Sequence, residues 1–393
     1  SKDVQPLQSL EYWDRSLITN WRASAGLTAF GQNKLEAFSR GILSAQRILE
    51  SERKPEPCIA LTRTQKQGKT RLVWGYPMSM TLLEGCFARP LLEQFKGGVT
   101  PMAFAMTNKT LGAKILSSQQ SNRYWYSLDA SQFDATIQRP MIKSAFNIIR
   151  TWFDLEAPFA TTGDTQVTNG KVLKIIEDYF IYTPIVMPTG DKNTNVEGIL
   201  HLGKDHGVPS GSYFTQLVDS IVNIIILGTL ASKFGFKVDP HDCHVLGDDL
   251  LFFTDSHLDM RSLANYASST FGMIFNPAKS THGGANDEVE FLGRTWKNGI
   301  PHRSTEAAID KMLWPESFRK YNDRIREAKI VMASYNLSAV SHGGLIPNLR
   351  GWSAGLDPTM VVSNADKLSG YYRFMLSQGE QQPHLRMNHG SLN

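Results

Sequence analysis

The chain has 393 residues, of which 41% are hydrophobic, and its 41 Lys and Arg against 37 Asp and Glu give a net charge of +4. This length and apolar content suit a large globular protein of two or three subdomains, and the small positive charge permits a polyanionic partner without requiring one. The three cysteines are widely spaced, which excludes a zinc pattern and a disulfide framework and favours a reducing compartment.

Neither a targeting segment nor a membrane span is predicted. The N-terminal sequence SKDVQPLQSL lacks the basic and apolar regions of a signal peptide. The longest apolar stretch, IVNIIILGTLA, has about a dozen residues, which is too short for a membrane span and predicts a buried helix. We therefore expect a soluble chain. Because it begins with Ser, we also expect a processed, trimmed or fragmentary product.

In the first half of the chain the predicted elements alternate in type. Helical periodicity runs over residues 31–52, and Pro55 and Pro57 end it. An extended segment, TRLVWGYP, follows a basic stretch. The sequence YWYSLDASQFDATI predicts a strand that runs into a turn, and RPMIKSAFNIIRTWF predicts an amphipathic helix with Pro140 near its start.

In the second half, the polar, Gly- and Thr-rich residues 161–204 predict loops and short strands. SGSYFTQLVDSIVNIIILGTL then predicts a turn that leads into a long buried helix. HVLGDDLLFF predicts a β-hairpin, and a helix over 259–271, a strand over 290–296 and a mostly helical remainder follow. No repeat, low-complexity tract or linker interrupts the chain.

Carboxylates mark the ends of two predicted strands. Asp248 and Asp249 interrupt the apolar hairpin, although a Gly-Asp turn alone could explain them. Asp129 follows an apolar strand, where a turn or helix cap is the common role. Carboxylate oxygens are also the ligands that Mg²⁺ requires, and two ions about 4 Å apart would activate a 3′-hydroxyl and stabilise departing pyrophosphate. The residues alone leave both interpretations open.

Two further segments have features of a nucleotide site. In GVPSGSYFTQLVDS, a Gly-Pro turn places the hydroxyls of Ser210 and Thr215 near a helix start, where they can hold a sugar-phosphate backbone. In TRTQKQGKTRLVWG, a loop and strand start carry basic side chains that could clamp a triphosphate. In isolation, a turn that caps a helix is the favoured interpretation of the first segment, and a solvated basic loop is that of the second.

The order of these segments resembles the motifs of viral RNA-dependent RNA polymerases. The basic strand, Asp-x4-Asp, Ser-Gly-x3-Thr and Gly-Asp-Asp resemble motifs F, A, B and C, NPAKST resembles motif D, and EFLGRTW resembles motif E. About 80 residues separate Asp129 from Ser210 and about 40 separate Ser210 from Asp248, which suits that family. GVPSGSYFTQLVDSIVN, SLDASQFDATIQRPMI and FLGRTW…KMLWPES look most similar to the partitivirus and picobirnavirus branch of double-stranded RNA viruses, and the partitivirus side is closer.

The resemblance covers about residues 62–316, and the chain is short for the family, which leaves a trimmed polymerase open. It implies an α+β, right-handed fingers-palm-thumb fold whose antiparallel palm sheet is flanked by helices. The implied domains follow in chain order: fingers 1–123, palm with motif A 124–150, a fingers insertion 151–205, palm with motifs B to E 206–296, and thumb with C-terminal tail 297–393.

The resemblance also implies residue roles. Asp129 and Asp248 would be the principal metal ligands, Asp249 a weaker one, and Lys279 the general acid that protonates pyrophosphate. A solvated lysine beside Pro277 is the alternative for Lys279. The implied nucleotide- and RNA-binding residues are Arg63, Lys66, Lys69, Arg71, Asp134, Ser210, Gly211, Thr215, Asp219 and Arg294.

Asp219 departs from the commonest pattern, because many polymerases of the superfamily carry Asn at this position. Two nearby carboxylates resist joint ionisation. We therefore expect either that Asp134 and Asp219 share one proton at the ribose, or that Asp219 points elsewhere and Thr215 does more of the recognition. Asn223, one helical turn further on, is predicted to be too far away to take over this role.

The implied function is an RNA-dependent RNA polymerase that transcribes and replicates a viral RNA genome by two-metal nucleotidyl transfer, with Mg²⁺ or alternatively Mn²⁺. The implied partners are RNA template and product, nucleoside triphosphates and a viral capsid protein, with no membrane, in the virion interior and host cytoplasm. A reverse transcriptase would place a bulky aromatic at Asp134 and an aromatic instead of Gly247. A non-catalytic RNA-binding or capsid-anchoring descendant is opposed by the intact Asp129, Asp248 and Lys279.

Overall fold

The computed structural model describes residues 23–27, 31–64, 70–96, 100–162, 165–189 and 197–302, together with Val4, Pro6, Ile18, Trp21 and Ala29. The chain divides into two compact units. The first comprises Ser1–Arg63 and Thr70–Leu292, and the second Thr64–Lys69 and Gly293–Asn393. Lys66, Lys69 and nearly all of the predicted thumb therefore lie outside the described residues.

Helices and strands alternate along the first unit, as the sequence pattern predicts. The helices are α1 Phe38–Leu49, α2 Met78–Phe95, α3 Asn108–Ser121, α4 Phe133–Thr136, α5 Arg139–Arg150, α6 Asn169–Ile181, α7 Thr215–Phe234 and α8 Met260–Phe271. The strands are β1 Cys58–Thr64, β2 Thr70–Gly75, β3 Tyr124–Leu128, β4 Ala130–Ser131, β5 Pro158–Thr162, β6 Thr165–Thr168, β7 Ile185–Thr189, β8 Glu197–His201, β9 Cys243–Leu246, β10 Asp249–Thr254, β11 Ile274–Phe275, β12 Thr281–Gly284 and β13 Val289–Phe291. The described part of the second unit contains the hairpin of β14 Arg294–Lys297 and β15 Ile300–His302.

The central sheet has four antiparallel strands in the order β12–β3–β10–β9. In the middle of it, β10 is buried from Leu250 to Thr254, because its run of apolar side chains packs on both faces of the sheet. The register places Leu250 opposite Leu128 of β3 and Asp249 opposite Leu246 of β9. Helix α7 packs on β9 and β10. The predicted antiparallel sheet with flanking helices is confirmed.

Helix α7 is apolar around most of its circumference, as a core helix must be, and it ends at Gly235, whose φ of +69° favours glycine. Among the helices that the structure describes, it alone is long and apolar enough to cross a membrane. More than half of its apolar stretch is buried against the rest of the unit. The predicted buried helix is therefore confirmed, although its 20 residues exceed the dozen that the apolar run suggested.

A second sheet, in the order β2–β1–β7–β8, carries the basic segment. β1 pairs in parallel with β7, with Cys58 opposite Ile185, and β7 and β8 form an antiparallel pair. Gly75 at the end of β2 is required by packing, since a Cβ atom there would lie 2.4 Å from Cγ2 of Ile59. The predicted extended segment TRLVWG is confirmed as β2.

Helix α1 is shorter than predicted. The expected helix over residues 31–52 is wrong at its start, because Oδ1 of Asn33 accepts hydrogen bonds from the backbone N–H groups of Leu35 and Glu36 and forms a turn instead. The helix begins at Phe38. It ends at Leu49, ahead of the two prolines, and Ser51 follows with a φ of +64°.

Residues 161–204 contain a helix that the sequence analysis did not predict. Within this segment, α6 begins where the Thr168 side chain accepts a hydrogen bond from the backbone N–H of Lys171. Val172 and Ile176 are buried at helical spacing on one face. The prediction of loops and short strands holds only on either side of α6, because the polar flanks obscured its apolar periodicity.

The predicted strand over 290–296 is two strands. Leu292 and Gly293 have φ values of +56° and +63°, which ends β13 before β14 begins. The other predicted helices are confirmed as α5, with Pro140 in its first turn, and α8, which Asp259 caps by accepting hydrogen bonds from two backbone N–H groups.

All three cysteines of the chain are free and buried, in agreement with the absence of a disulfide framework. Cys58 lies in β1, Cys86 in α2 and Cys243 in β9. Burial raises the pKa of the Cys58 and Cys243 thiols to about 12. These side chains serve the core as small apolar groups.

Candidate active site

Three carboxylates, Asp129, Asp248 and Asp249, lie at one end of the central sheet; we call them the acidic cluster. Asp129 directly follows Leu128 and Asp249 directly precedes Leu250, and these two leucines are opposite each other in the β3–β10 ladder. Asp248 stands in the turn between β9 and β10. The register that pairs Leu250 with Leu128 places Asp249, rather than Asp248, beside the position of Asp129. Asp248 follows β9, which is not a neighbour of β3 in the sheet, so Asp129 and Asp248 do not end neighbouring strands.

The members of the acidic cluster interact electrostatically. Desolvation, followed by the charges of Asp248 and Asp129, raises the pKa of Asp249 to about 6. All three side chains are nevertheless exposed to solvent. Carboxylate oxygens that repel one another on an open surface are suited to a hard divalent cation, which would relieve the repulsion. Within the part of the chain that the structure describes, no three His, Cys, Asp or Glu side chains are arranged to coordinate a metal ion. The acidic cluster therefore suits a divalent cation through the chemistry of its oxygen donors.

Two residues of α7 hold the turn that carries Asp248. The backbone N–H of Gly247 donates a 2.9 Å hydrogen bond to Oγ of Ser220, and the Gly247 carbonyl accepts a 2.7 Å bond from Nδ2 of Asn223. Ser220 and Asn223 are buried, so these bonds are shielded from water. Sequence analysis missed this role and considered Asn223 only as a ribose contact. Two polar residues three apart in an otherwise apolar helix were the available signal.

The segment that resembles motif D is attached to the backbone of Asp129. Asp129 donates its N–H to Oγ of Ser280 at 3.1 Å, and its carbonyl accepts the N–H of Asn276 at 3.1 Å. Between these two anchors, Lys279 donates its backbone N–H to the Asn276 carbonyl and its side chain is exposed. The structure therefore brings the Lys279 turn next to the acidic cluster.

The side chains of Asp134 and Asp219 lie within hydrogen-bonding reach of each other, and a bond between two carboxyl groups requires that one of them be protonated. Asp219 is buried, and desolvation together with the charges of Asp134 and Asp248 raises its pKa well above the usual value. Two carboxyl groups placed in this way resist joint ionisation. Asp219 thus lies beside Asp134, and the shared proton stays a prediction.

Asp134 also lies within electrostatic reach of Arg71, which is exposed on β2. Desolvation and the charge of Asp248 raise the pKa of Asp134, and its hydrogen bond with Asp219 and the charge of Arg71 oppose this shift. The backbone carbonyl of Asp134 accepts the N–H of Val208 at 2.6 Å, which connects the segments that resemble motifs A and B. The basic strand, motif A and motif B thus meet at one place.

We call residues 207–214, which precede α7, the glycine loop. Its Ser210 accepts a 3.3 Å hydrogen bond at Oγ from the backbone N–H of Trp74 in β2. Gly211 packs so closely that a Cβ atom would lie 2.4 Å from the Trp74 carbonyl oxygen. The Thr215 hydroxyl donates a 2.6 Å hydrogen bond to the Pro209 carbonyl and closes the loop on the helix start. This loop is therefore attached to the strand that carries Arg71.

The remaining predicted contact residues are not brought to the site by the described structure. Arg63 lies in β1, and only its backbone is described. Lys66 and Lys69 fall outside the described residues. Arg294 begins β14 in the second unit, so its predicted contact with RNA stays a prediction.

Comparisons with known proteins agree with the motif order. A family model described as viral RNA-dependent RNA polymerase matches residues 52–344. The RNA-directed RNA polymerase of Cryptosporidium parvum virus 1 is 32% identical over 197 residues, covering 48% of this chain and 32% of the relative. That of White clover cryptic virus 1 is 26% identical over 269 residues, covering 62% of this chain and 42% of the relative. The chain thus spans less than half the length of these curated relatives.

Solved structures show the same fold. The RNA-dependent RNA polymerase of a human picobirnavirus, as an insertion-loop deletion mutant, superposes with a TM-score of 0.71 at 15% identity, covering 97% of this chain and 74% of that one. The Sicinivirus 3Dpol RNA-dependent RNA polymerase gives a TM-score of 0.64 at 16% identity, with 92% and 77% covered. The predicted polymerase fold and the predicted likeness to polymerases of double-stranded RNA viruses are confirmed. Because the family model covers well over half of the sequence, the chain belongs to the viral RNA-dependent RNA polymerase family.

Proposed function

We propose that this chain carries the nucleotidyl-transfer site of an RNA-dependent RNA polymerase that transcribes and replicates a viral RNA genome. The observation that carries the proposal is that Asp129 and Asp249 directly adjoin the paired Leu128 and Leu250 of the β3–β10 ladder, with Asp248 in the adjoining turn. A structural turn would need one such carboxylate at most. Here the charges of Asp248 and Asp129 add to desolvation in raising the pKa of Asp249 to about 6, so keeping the three carboxylates together without a cationic ligand is costly.

In this proposal Asp129 and Asp248 would hold two Mg²⁺ ions, or alternatively Mn²⁺, and Asp249 would contribute more weakly. Bound ions of this kind supply activation of a 3′-hydroxyl and neutralisation of charge on departing pyrophosphate. The guanidinium of Arg71 pairs with triphosphate oxygens through its planar set of N–H donors. Lys279 delivers a proton to the pyrophosphate from its turn beside Asp129.

The Asp134–Asp219 pair selects ribose. A neutral Asp219 donates its proton to Asp134, which keeps the Asp134 carboxylate oriented and leaves an oxygen lone pair for a sugar hydroxyl. A 2′-hydroxyl satisfies that acceptor, whereas a deoxyribose leaves it unpaired. This arrangement favours ribonucleotides and opposes the reverse-transcriptase alternative, which would use a bulky aromatic in place of Asp134.

The proposal extends to the partners and the location. RNA template, RNA product and nucleoside triphosphates are the substrates and products of the reaction. A viral capsid protein is a further partner, and the polymerase acts in the virion interior and the host cytoplasm. The proposed fingers, palm and thumb boundaries are those that the motif order implies.

Primer extension on an RNA template with Mg²⁺ tests the activity. The wild type should extend an RNA primer with ribonucleotides, and Asp248→Ala should not. Asp178→Ala is the matched control, because Asp178 is an exposed aspartate of α6 paired with Lys174. RNA binding without extension by the wild type would instead favour the non-catalytic descendant, and efficient incorporation of deoxyribonucleotides would favour a reverse transcriptase.

A further inference from the structure

A buried carboxylate outside the motifs contacts the glycine loop. Glu84 lies in α2 and is 0% exposed. Its Oε2 accepts a 2.7 Å hydrogen bond from the Ser212 hydroxyl and a 2.8 Å bond from the backbone N–H of Tyr213. Its Oε1 accepts a 2.6 Å bond from the Tyr76 hydroxyl. Burial of a carboxylate destabilises the fold unless its hydrogen bonds offset the free energy of desolvation.

The contacts of Glu84 fall on the loop that the proposed reaction uses. Ser212 and Tyr213 directly follow Ser210 and Gly211, which contact Trp74 of β2. The Ser212 hydroxyl also accepts the N–H of Phe214, the last residue before α7. Glu84 therefore fixes the stretch between Ser210 and Thr215 through one side-chain and one backbone contact.

The surroundings of Glu84 raise the pKa of its carboxyl group. Desolvation raises its pKa to about 7. The hydrogen bonds from Tyr76, Ser212 and Tyr213 and the charge of Lys34 lower the pKa and limit this rise. Cys58 of β1 and Tyr179 of α6 also interact electrostatically with it. An ionised carboxylate accepts stronger hydrogen bonds than a neutral carboxyl group does.

We propose that Glu84 is a positioning residue of the polymerase reaction, which holds the glycine loop in the conformation that presents Ser210 and Thr215 to the RNA and the incoming nucleotide. The inference rests on the proposed function for the reaction itself. The grip of Glu84 on the loop is a property of the fold and can be measured separately. It strengthens as the carboxyl group ionises, so the loop is held more firmly at pH 8 than at pH 6.

Substitutions of graded severity separate positioning from bulk stability. Glu84→Gln keeps the shape, because its amide oxygen can serve Ser212 and Tyr213 and its NH₂ can donate to the Tyr76 oxygen. Glu84→Ala removes every contact of the carboxylate, and Ser212→Ala removes one of them from the loop side together with the bond that Ser212 accepts from Phe214. Glu93→Gln is the control, because Glu93 lies in the same helix with an exposed side chain.

Primer-extension kinetics at pH 6, 7 and 8 measure the effect on the reaction. We expect the ratio of wild-type to Glu84→Gln kcat/KM to rise roughly threefold or more between pH 6 and pH 8, because only the wild type gains a charged acceptor. The same ratio for Glu93→Gln should stay flat. Ser212→Ala should raise the KM for the nucleoside triphosphate with little change in its thermal midpoint. Ratios for Glu84→Gln that do not change with pH overturn the proposal.

Hydrogen exchange of a peptide that covers residues 207–214 measures the grip without catalysis. At pH 8, Glu84→Ala should speed exchange in this peptide roughly tenfold, and Glu84→Gln should fall between it and the wild type. If Glu84→Ala does not fold, Glu84→Gln and Ser212→Ala decide the outcome. Equal exchange in the wild type and these variants refutes the inference. If the wild type makes no RNA but the Glu84 variants still exchange faster than the wild type in this peptide, the proposed function is refuted. The role of Glu84 in holding the loop then remains supported.

Discussion

Asn223 donates a 2.7 Å hydrogen bond from its side-chain amide to the carbonyl of Gly247, the residue immediately before Asp248. This bond fixes the peptide that leads into the acidic cluster, so its loss should misplace Asp248 without removing any proposed ligand. We expect Asn223→Ala to lower kcat roughly 5- to 100-fold, the equivalent of about 1–3 kcal/mol for a buried carbonyl left unpaired. Single-turnover primer extension measures it. Thr229→Ala, in the same helix, removes a hydroxyl that, among the described residues, bonds to its own helix backbone at Ile225, and this variant should keep wild-type rates.

Divalent metal should stabilise the folded chain through the acidic cluster. At a Mg²⁺ concentration about 100 times the Kd, linkage predicts about 2.7 kcal/mol of added stability. Because the pKa of Asp249 is about 6, protons compete with the metal below that pH and the gain should shrink between pH 7 and pH 5. Thermal unfolding with and without Mg²⁺ checks this. If Mg²⁺ stabilises Asp129→Ala as much as it stabilises the wild type, the acidic cluster is not the binding site.

The Arg71 guanidinium should bind the triphosphate of the incoming nucleotide. Arg71→Ala should raise the KM for nucleoside triphosphate and lower kcat, because charge on the triphosphate develops further in the transition state. Arg71→Lys should restore only part of the activity, since an ammonium lacks the bidentate geometry of a guanidinium. Arg47→Ala, which removes an exposed arginine of α1, is the control. Unchanged nucleotide kinetics in Arg71→Ala would indicate a solvated basic strand.

Asp219 should make stability depend on pH. In the unfolded chain an aspartate loses its proton at about pH 4, whereas burial and the charges of Asp134 and Asp248 keep the proton on folded Asp219 to higher pH. Across that window the folded state binds more protons, so the contribution of Asp219 to stability falls as pH rises. Asp219→Asn carries no such proton. We expect its thermal midpoint to rise relative to the wild type between pH 4 and pH 7, and a constant difference would contradict the shared proton.

Asp134 and Asp219 should differ in their effect on sugar choice. Asp219→Asn should stay active and extend ribose selection toward higher pH, because an amide NH₂ donates to Asp134 at any pH. Asp134→Ala should narrow the preference for ribo- over deoxyribonucleotides by about 1–3 kcal/mol, the cost of an unpaired partner. The measurement is the ratio of kcat/KM for the two nucleotides from pH 6 to 9. An inactive Asp219→Asn would assign Asp219 to helix packing or to the template strand.

Local sequence signals predicted the elements on which the site depends. The hairpin around Gly247, the strand before Asp129 and the helix after Thr215 each have a strong period or turn residue, and each is present. Helix α6 was missed because polar flanks hide a short apolar period. Its existence depends on burial against other elements, which no local window contains.

The contacts that support the site were harder to predict than its motifs. Ser220, Asn223 and Ser280 act on backbone groups that lie between 24 and 151 residues away along the chain. Glu84 holds a loop whose contact residues lie 128 and 129 residues away. Such partners depend on how sheets and helices pack, so a pattern of residue types could reveal the aspartates and not the residues that position them.

Because all three cysteines are buried, the native protein should react very slowly with maleimide reagents. A thiol reacts as its thiolate, and with a pKa of about 12 the Cys58 and Cys243 side chains are ionised in roughly one molecule in 10⁵ at neutral pH. Cys86 is equally enclosed in α2. A single cysteine introduced at an exposed position such as Ala278, beside Lys279, would therefore accept a fluorophore selectively, and its emission would report motion of that turn while nucleotide binds.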